Sequence, residues 1–496
     1  MVRPSVFGLL VGQHGLRPDQ AFLIREEDAL TLTYREVRAR VEALSAIFAE
    51  HDLSAGDRLI VILPNRLLFP LVYLAALAQG LVVVPVGPEV SGRELSRLID
   101  LALPQAILID ASLKHTLRPS LSHDRQLATI SPLDSEEALL FRVGEHQGAF
   151  SGAAEVLFTS GTTGAPKAVA LTEQQLLFTA RQVVQAHSLT SEDVCYLPLP
   201  LYHINAQVVG VLATLASGGQ LVIASGFSAS GFWPAIGRFA VTWVNAVPPI
   251  LAILAKGPQP AAAPACLRFV RSASAPLPVS VLRAFEEAFS VPVIETYGLT
   301  EAASQVAANP LLDGARKPGS VGIGRGVMIR ILGERGEALP TGAVGEVAVS
   351  GPGVIHGYAH GENRSFLGDW FLTGDLGRLD EDGYLFLTGR KSELINRGGQ
   401  KVSPREVEEV LLDHPLVQDV AVAGTPDPIL GEQVTAWLVL VSGTDPAEAA
   451  VALRDHAERH LSPFKRPESY RFVQALPKGS TGKVQRHLLS AEQGPD

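Results

Sequence analysis

Nine consecutive residues, Thr159-Ser160-Gly161-Thr162-Thr163-Gly164-Ala165-Pro166-Lys167, are of the types that hold phosphate. The two glycines let the backbone turn its amides inward, three threonines and one serine add hydroxyl donors, and Lys167 adds a mobile positive charge. Apolar runs on either side, Ala153 to Phe158 and Ala168 to Leu171, predict two strands joined by this loop. A Walker loop needs Gly-Lys-Ser/Thr opening a helix; here Pro166 precedes the lysine and Ala168 follows it, so that reading fails.

Further along, Glu295-Thr296-Tyr297-Gly298-Leu299-Thr300-Glu301 leaves a strand end with an aromatic face, hydroxyls and two carboxylates. Ligands of open α/β sheets gather beyond strand carboxyl ends. A tyrosine there can stack on a base, a threonine can bind phosphate, and Glu301 can hold Mg²⁺, which prefers oxygen. Thr373-Gly374-Asp375 offers a carboxylate able to accept both hydroxyls of a ribose, and Arg390, fifteen residues later, can brace it. Near the end, Pro477-Lys478-Gly479-Ser480-Thr481-Gly482-Lys483 carries a lysine on a Gly-rich loop.

Together these motifs, in this order over nearly the whole chain, resemble the adenylate-forming superfamily of acyl-CoA synthetases, peptide-synthetase adenylation domains and firefly luciferase. Leu267 to Ala275, Asn309-Pro310 with Lys317 to Gly322, and Leu394 to Gly399 look like its oxalate–CoA and malonate–CoA ligase branch. The resemblance implies two half-reactions: a carboxylate attacks ATP to give acyl-AMP and pyrophosphate, and a thiol then displaces AMP. It implies that Thr159, Ser160, Gly161, Thr162, Thr163, Gly164 and Lys167 hold the β and γ phosphates, and that Ser274-Ala275-Pro276, Glu295, Thr296 and Tyr297 frame the nucleotide. Thr300 would meet the α-phosphate, Glu301 and Thr159 would ligate Mg²⁺, Asp375 and Arg390 would take the ribose, and Lys483 would neutralise charge between carboxylate and phosphate. His203, in Leu199-Pro200-Leu201-Tyr202-His203, falls where the family lines its acid pocket; Asn205, Trp243, Val247, Ser272 and Gly298 are further pocket candidates. Gly398 and Gly399 would line a thiol channel for CoA, and Lys391-Ser392 would form a hinge.

Two departures bear on the chemistry. Ala168 replaces the usual glycine after the loop lysine, and Ser392 replaces the lysine or aspartate common at the hinge. The leading expectation is an ATP-dependent carboxylate–CoA ligase for a small or aromatic acid. The alternative keeps the adenylation and changes the acceptor to a carrier-protein thiol or an amine, or activates an unusual oxyacid such as nitrite.

The elements that must position these groups read as an α/β chain: a large N-terminal domain, 1–390, of helix-wound sheets plus a small β unit, and a mobile α+β C-terminal lid, 391–496. Thr33 with Glu36 makes a capping box before the helical periodicity Val37, Val41, Leu44, Ile47, Phe48. Strand Arg58 to Leu63, helix Leu67 to Gln79 and strand Leu81 to Val86 form a β-α-β unit, and similar alternation runs to Glu295, which argues for parallel sheets. From Gly322 short strands with Gly and Pro turns take over; past Gly389, helix Pro404 to Leu412, strands Val417 to Ala423 and Val434 to Leu440, and helix Ala447 to His460 follow.

With 496 residues and 47% hydrophobic content the chain can bury a large core. A net charge of −10 disfavours a phosphate-tracking nucleic-acid surface, and two cysteines, Cys195 and Cys266, make no disulfide framework. The uncharged stretch Leu67 to Pro88 is long enough to span a bilayer, but Pro70, Gly80 and Pro85 break it into a helix and a strand. The N-terminus lacks the order of a secretion signal and the C-terminus is not a peroxisomal address, so the expectation is a cytoplasmic monomer or homodimer without a membrane span. His356 and His360 flank Gly357 in a loop, and a zinc site there is not expected.

Overall fold

The computed structural model describes residues 4–117, 121, 125–133, 135–144, 150–160, 166–257, 263–311, 316–360, 365–479 and 484–489. Local signals decide where its helices begin and end. The Thr33 hydroxyl accepts from the Glu36 amide at 3.2 Å and Glu36 accepts from the Thr33 amide at 2.8 Å, which starts helix Tyr34–Glu50. Thr172 and Gln175 form a second capping box ahead of helix Glu173–His187. Gly80, at φ 76°, ends helix Leu68–Gln79 in the left-handed conformation that costs a glycine little. That helix is apolar on every side because it is buried on every side, in one core with both large sheets. No helix among the described residues is long and apolar enough to cross a membrane.

A seven-stranded sheet runs in the order Arg125–Leu133, Glu136–Arg142, Ala106–Asp110, Arg58–Ile62, Val82–Pro85, Glu155–Ser160, Pro166–Leu171. Its central strands alternate cleanly: Leu59 and Val61 face the core shared with the second sheet, and Ile60 and Ile62 face a separate core on the other side. The sheet is mixed rather than wholly parallel. Both edges are hairpins, and their short connections can only return antiparallel. The second sheet orders nine strands among the described residues, with Val194–Leu197, Trp243–Ala246, Phe269–Ser272 and Val293–Tyr297 side by side and parallel.

Beyond Gly322 lies a five-stranded antiparallel sheet of Met328–Leu332, Gly345–Ser350, Phe366–Leu367, Trp370–Leu379 and Leu385–Arg390. A Cβ on Gly322 would lie 2.0 Å from the backbone of Ala308, so this crossing requires glycine. Trp370–Leu379, its longest strand, escapes sequence patterning because it is half-buried and interrupted by Gly374 and Gly377. The last sheet holds Ile395–Arg397, Gln400–Val402, Val417–Asp427, Gly431–Leu440 and Ser469–Phe472, covered by helices Pro404–Leu412 and Pro446–His460.

Candidate active site

Strand Val293–Tyr297 ends at the site, and the chain turns at Gly298 into the short helix Thr300–Ala302. A Cβ on Gly298 would fall 1.3 Å from the carbonyl oxygen of Ser304. The turn is therefore closed to any other residue type. It aims Tyr297 at the five-stranded sheet, where its hydroxyl donates to Asp375 Oδ2 at 2.5 Å. Arg390 Nε donates to the other oxygen, Asp375 Oδ1, at 2.7 Å, because Asp375 and Arg390 are direct partners across the antiparallel ladder. Burial and then the Asp375 charge push the Tyr297 hydroxyl well above its ordinary range, so it stays a donor. Burial lowers the Arg390 guanidinium, but the charge and hydrogen bond of Asp375 together with Tyr297 and Glu393 outweigh it and the net shift is upward.

The hydroxyl-rich hairpin meets Glu301 through a residue that sequence reading missed. Tyr358 donates to Glu301 Oε1 at 2.9 Å, and Lys167 Nζ lies 4.6 Å from the centre of the Tyr358 ring. Backbone bonds hold this arrangement: Ala359 N donates to Ala168 O at 3.0 Å and Ile355 N to Glu301 O at 2.8 Å. Thr159 and Lys167 face each other across the hairpin. The only sequence signal for Tyr358 was an aromatic residue after Gly357 in a loop between two histidines. His360 packs edge-on against Phe150 at 5.2 Å.

Of the acid-pocket candidates, Ser272, Val247 and Gly298 fall at or just past the carboxyl ends of neighbouring strands and His203 and Asn205 in the segment after strand Val194–Leu197, whereas Trp243 opens its strand at the amino end, buried in the core. Asn205 donates to Ser274 Oγ at 3.3 Å and accepts from Asn245 Nδ2 at 3.3 Å and Arg271 Nη1 at 3.1 Å. Thr296 Oγ1 donates to Ser272 O at 3.2 Å. Ser274 takes φ 72°, a conformation that costs a serine energy and marks the turn out of strand Phe269–Ser272. Ala275 is half-buried and Pro276 exposed; Val247 is half-buried at the start of helix Pro248–Lys256. The His203 ring lies 4.3 Å from that of Tyr202. Trp243 is deeper, its ring stacked on Phe269 at 5.8 Å within the core. Glu295 is buried, and burial raises its carboxyl to about 7 despite the positive charge of Arg405.

In the C-terminal part, Gly398 and Gly399 are the two loop residues of the hairpin Ile395–Arg397 and Gln400–Val402, with φ 56° and 87°. Positive φ at both positions is what a tight two-residue hairpin demands, so local geometry alone accounts for the pair. Lys391 pairs with Glu346 at 2.8 Å, and Ser392 is exposed. Arg486, three residues beyond Lys483, is anchored by Glu408 at 2.6 Å and Glu393 at 3.1 Å. Lys483 and the loop residues Gly161, Thr162, Thr163 and Gly164 lie outside the described residues, as does the Ser160 side chain.

Residues 13–359 match the AMP-binding enzyme family and residues 406–483 its C-terminal domain. The chain is 37% identical to a sulfoacetate–CoA ligase of Cupriavidus necator over 98% of both chains. It is 33% identical to an oxalate–CoA ligase of Arabidopsis thaliana, over 92% of this chain and 93% of the relative. ATP-bound MatB from Rhodopseudomonas palustris superposes with a TM-score of 0.86 at 28% identity, over 98% of this chain and 99% of that one. On these grounds the chain belongs to the AMP-binding enzyme family, among the AMP-forming acid–CoA ligases.

Proposed function

We propose that the protein activates a small or aromatic carboxylic acid with ATP and passes the acyl group to CoA. One observation supports this above the rest. Tyr297 and Glu301, four residues apart on one turn, reach two separate partners, Asp375 with Arg390 on one side and Tyr358 with Lys167 on the other. The first set suits a ribose: a carboxylate oriented by two donors can accept sugar hydroxyls. The second set suits phosphate: Lys167 brings positive charge to the hairpin, and Glu301 brings a carboxylate held in place by a phenol.

Mg²⁺ binds through one or two carboxylates together with substrate phosphates, and Glu301 with the Thr159 hydroxyl fits that donor chemistry. Bound there, the ion would spread negative charge away from the phosphate oxygens. In the first step a carboxylate oxygen bonds to the α-phosphorus and the bond to pyrophosphate breaks. Thr300 is assigned to the α-phosphate and Lys483 to the charge developing between the reactants. In the second, a thiolate bonds to the acyl carbon and AMP leaves. Positioning and charge neutralisation carry such transfers. Lys391-Ser392 is the assigned hinge between residues 1–390 and 391–496, and Gly398-Gly399 the loop assigned to the thiol.

Acid-dependent ATP–pyrophosphate exchange tests the first step, and thioester formation with CoA the second. Lys483→Ala should reduce exchange by roughly 100-fold or more while thermal melting is unchanged. Undiminished exchange in that variant would remove Lys483 from the mechanism. Thioester formation with a carrier protein but not with CoA would replace the acceptor.

A further inference from the structure

Pro198-Leu199-Pro200-Leu201-Tyr202-His203 carries the chain off the end of strand Val194–Leu197 with two prolines that supply no amide donor. The turn closes locally through His203 N, which donates to Pro200 O at 3.2 Å. A residue of the other large sheet does the rest. Asn65, in the turn after strand Arg58–Ile62, donates through Nδ2 to Leu199 O at 2.7 Å and to Ala224 O at 3.3 Å. Through Oδ1 it accepts from Leu201 N at 2.8 Å. Only one orientation of the amide serves, since its nitrogen meets two carbonyls and its oxygen meets an N–H. All three backbone groups lie just past the carboxyl ends of Val194–Leu197 and Gln220–Ile223, where the sheet ladder has stopped and other partners are needed.

The second support is a missing side chain. A Cβ on Gly87, past the end of strand Val82–Pro85, would lie 3.0 Å from Cζ of the Tyr202 ring. Tyr202 therefore packs against bare backbone, and the His203 ring lies 4.3 Å from it, centre to centre. Leu199 and Leu201 are buried, whereas Tyr202 and His203 are half-buried, so the two rings are what this segment presents outward.

We propose that Asn65 is a positioning residue for the acid. By pinning Leu199 and Leu201 it fixes where Tyr202 and His203 stand, and Gly87 leaves the space in which the Tyr202 ring rests. Two turns of the seven-stranded sheet thus shape a pocket whose lining comes from the nine-stranded one. This rests on the reading of His203 as an acid-pocket residue and adds the groups that hold it there. Asn65 acts through backbone, so loosening it degrades the fit of the acid and spares Tyr297, Asp375 and Arg390, which hold one another.

The test is ATP–pyrophosphate exchange by the full-length enzyme, with oxalate, malonate, sulfoacetate, acetate and benzoate as probe acids. KM is measured for ATP and for each acid that the wild type activates. In Asn65→Ala the acid KM should rise roughly ten-fold or more, the scale of leaving strand-end groups unpaired, while the ATP KM changes by less than about three-fold. Gly87→Ala keeps the three Asn65 bonds and crowds Tyr202, since the Glu89 carboxylate, 2.7 Å from the same point, is a flexible end that can swing aside. It should raise the acid KM by about three-fold or more, again without the ATP KM. His203→Ala is the control for the pocket itself. If it raises the acid KM while Asn65→Ala and Gly87→Ala leave that value unchanged, or move acid and ATP KM by one factor in proteins that melt normally, the positioning role is overturned and the pocket reading stands. An unchanged acid KM in His203→Ala, or exchange with none of the acids, overturns both. Should Asn65→Ala not fold, Gly87→Ala decides by the same comparison.

Discussion

The Tyr297 hydroxyl lies 2.5 Å from Asp375 Oδ2, across 78 residues of sequence, and joins the end of a parallel strand to the longest strand of the antiparallel sheet. The bond orients a carboxylate whose second oxygen already belongs to Arg390. Both donors together set the plane of the group assigned to the ribose.

Asp375→Asn keeps the shape and removes the charge, so the KM for ATP should rise by roughly 10- to 100-fold, the value of a charge-assisted hydrogen bond. Tyr297→Phe should produce a smaller rise with kcat less affected. Initial-rate measurements over a range of ATP concentrations separate the two, and unchanged KM in Asp375→Asn would detach this residue from the nucleotide.

Tyr358→Phe keeps the ring beside Lys167 and removes the hydroxyl that bonds Glu301. A loss of about ten-fold in exchange is expected, together with a higher Mg²⁺ concentration for half-maximal activity. Tyr358→Leu, which also removes the face over which Lys167 sits, should cost more. A Mg²⁺ titration that superimposes on the wild type for both variants would contradict the role given to Glu301.

At Gly298 the limit is steric. A methyl group placed 1.3 Å from Ser304 O cannot be accommodated without moving backbone. Gly298→Ala should destabilise the protein by about 3 kcal/mol or more, or displace Tyr297 and abolish exchange. Thermal melting and exchange measured on one preparation test both outcomes; a variant normal in both would mean that the turn relaxes freely.

Glu155 is fully buried in the core, where Tyr73 donates to it at 3.0 Å and burial raises its carboxyl to about 8. Its folded-state value is raised, so below pH 4.5 both folded and unfolded forms are protonated and the group is neutral to stability. As pH climbs from there toward 8 the unfolded chain releases the proton first, and stability falls. Glu155→Gln removes that ionisation. It should melt at a higher temperature than the wild type at pH 8 and show no such gain at pH 4.5, as read by melting curves at both values.

Much of this was legible because it is local. The capping box at Thr33, the stop at Gly80, and the glycines, hydroxyls and lysine of 159–167 act within a turn or two of their own backbone. Residue type and spacing are enough to reveal such features. The antiparallel edge formed by Arg125–Leu133 and Glu136–Arg142 was not, since hydrophobic alternation records burial and carries no strand direction.

The sequence by itself determined that one chain would carry a hydroxyl-rich hairpin, an acidic strand end and an aspartate with a distant arginine. Tertiary structure alone decided which of them meet. Tyr358 reaches Glu301 across 57 residues and Arg271 reaches Asn205 across 66, through strand register and packing that no motif encodes. Side-chain contacts between distant segments depend on how whole elements settle against a shared core, and that is a property of the folded chain rather than of any stretch within it.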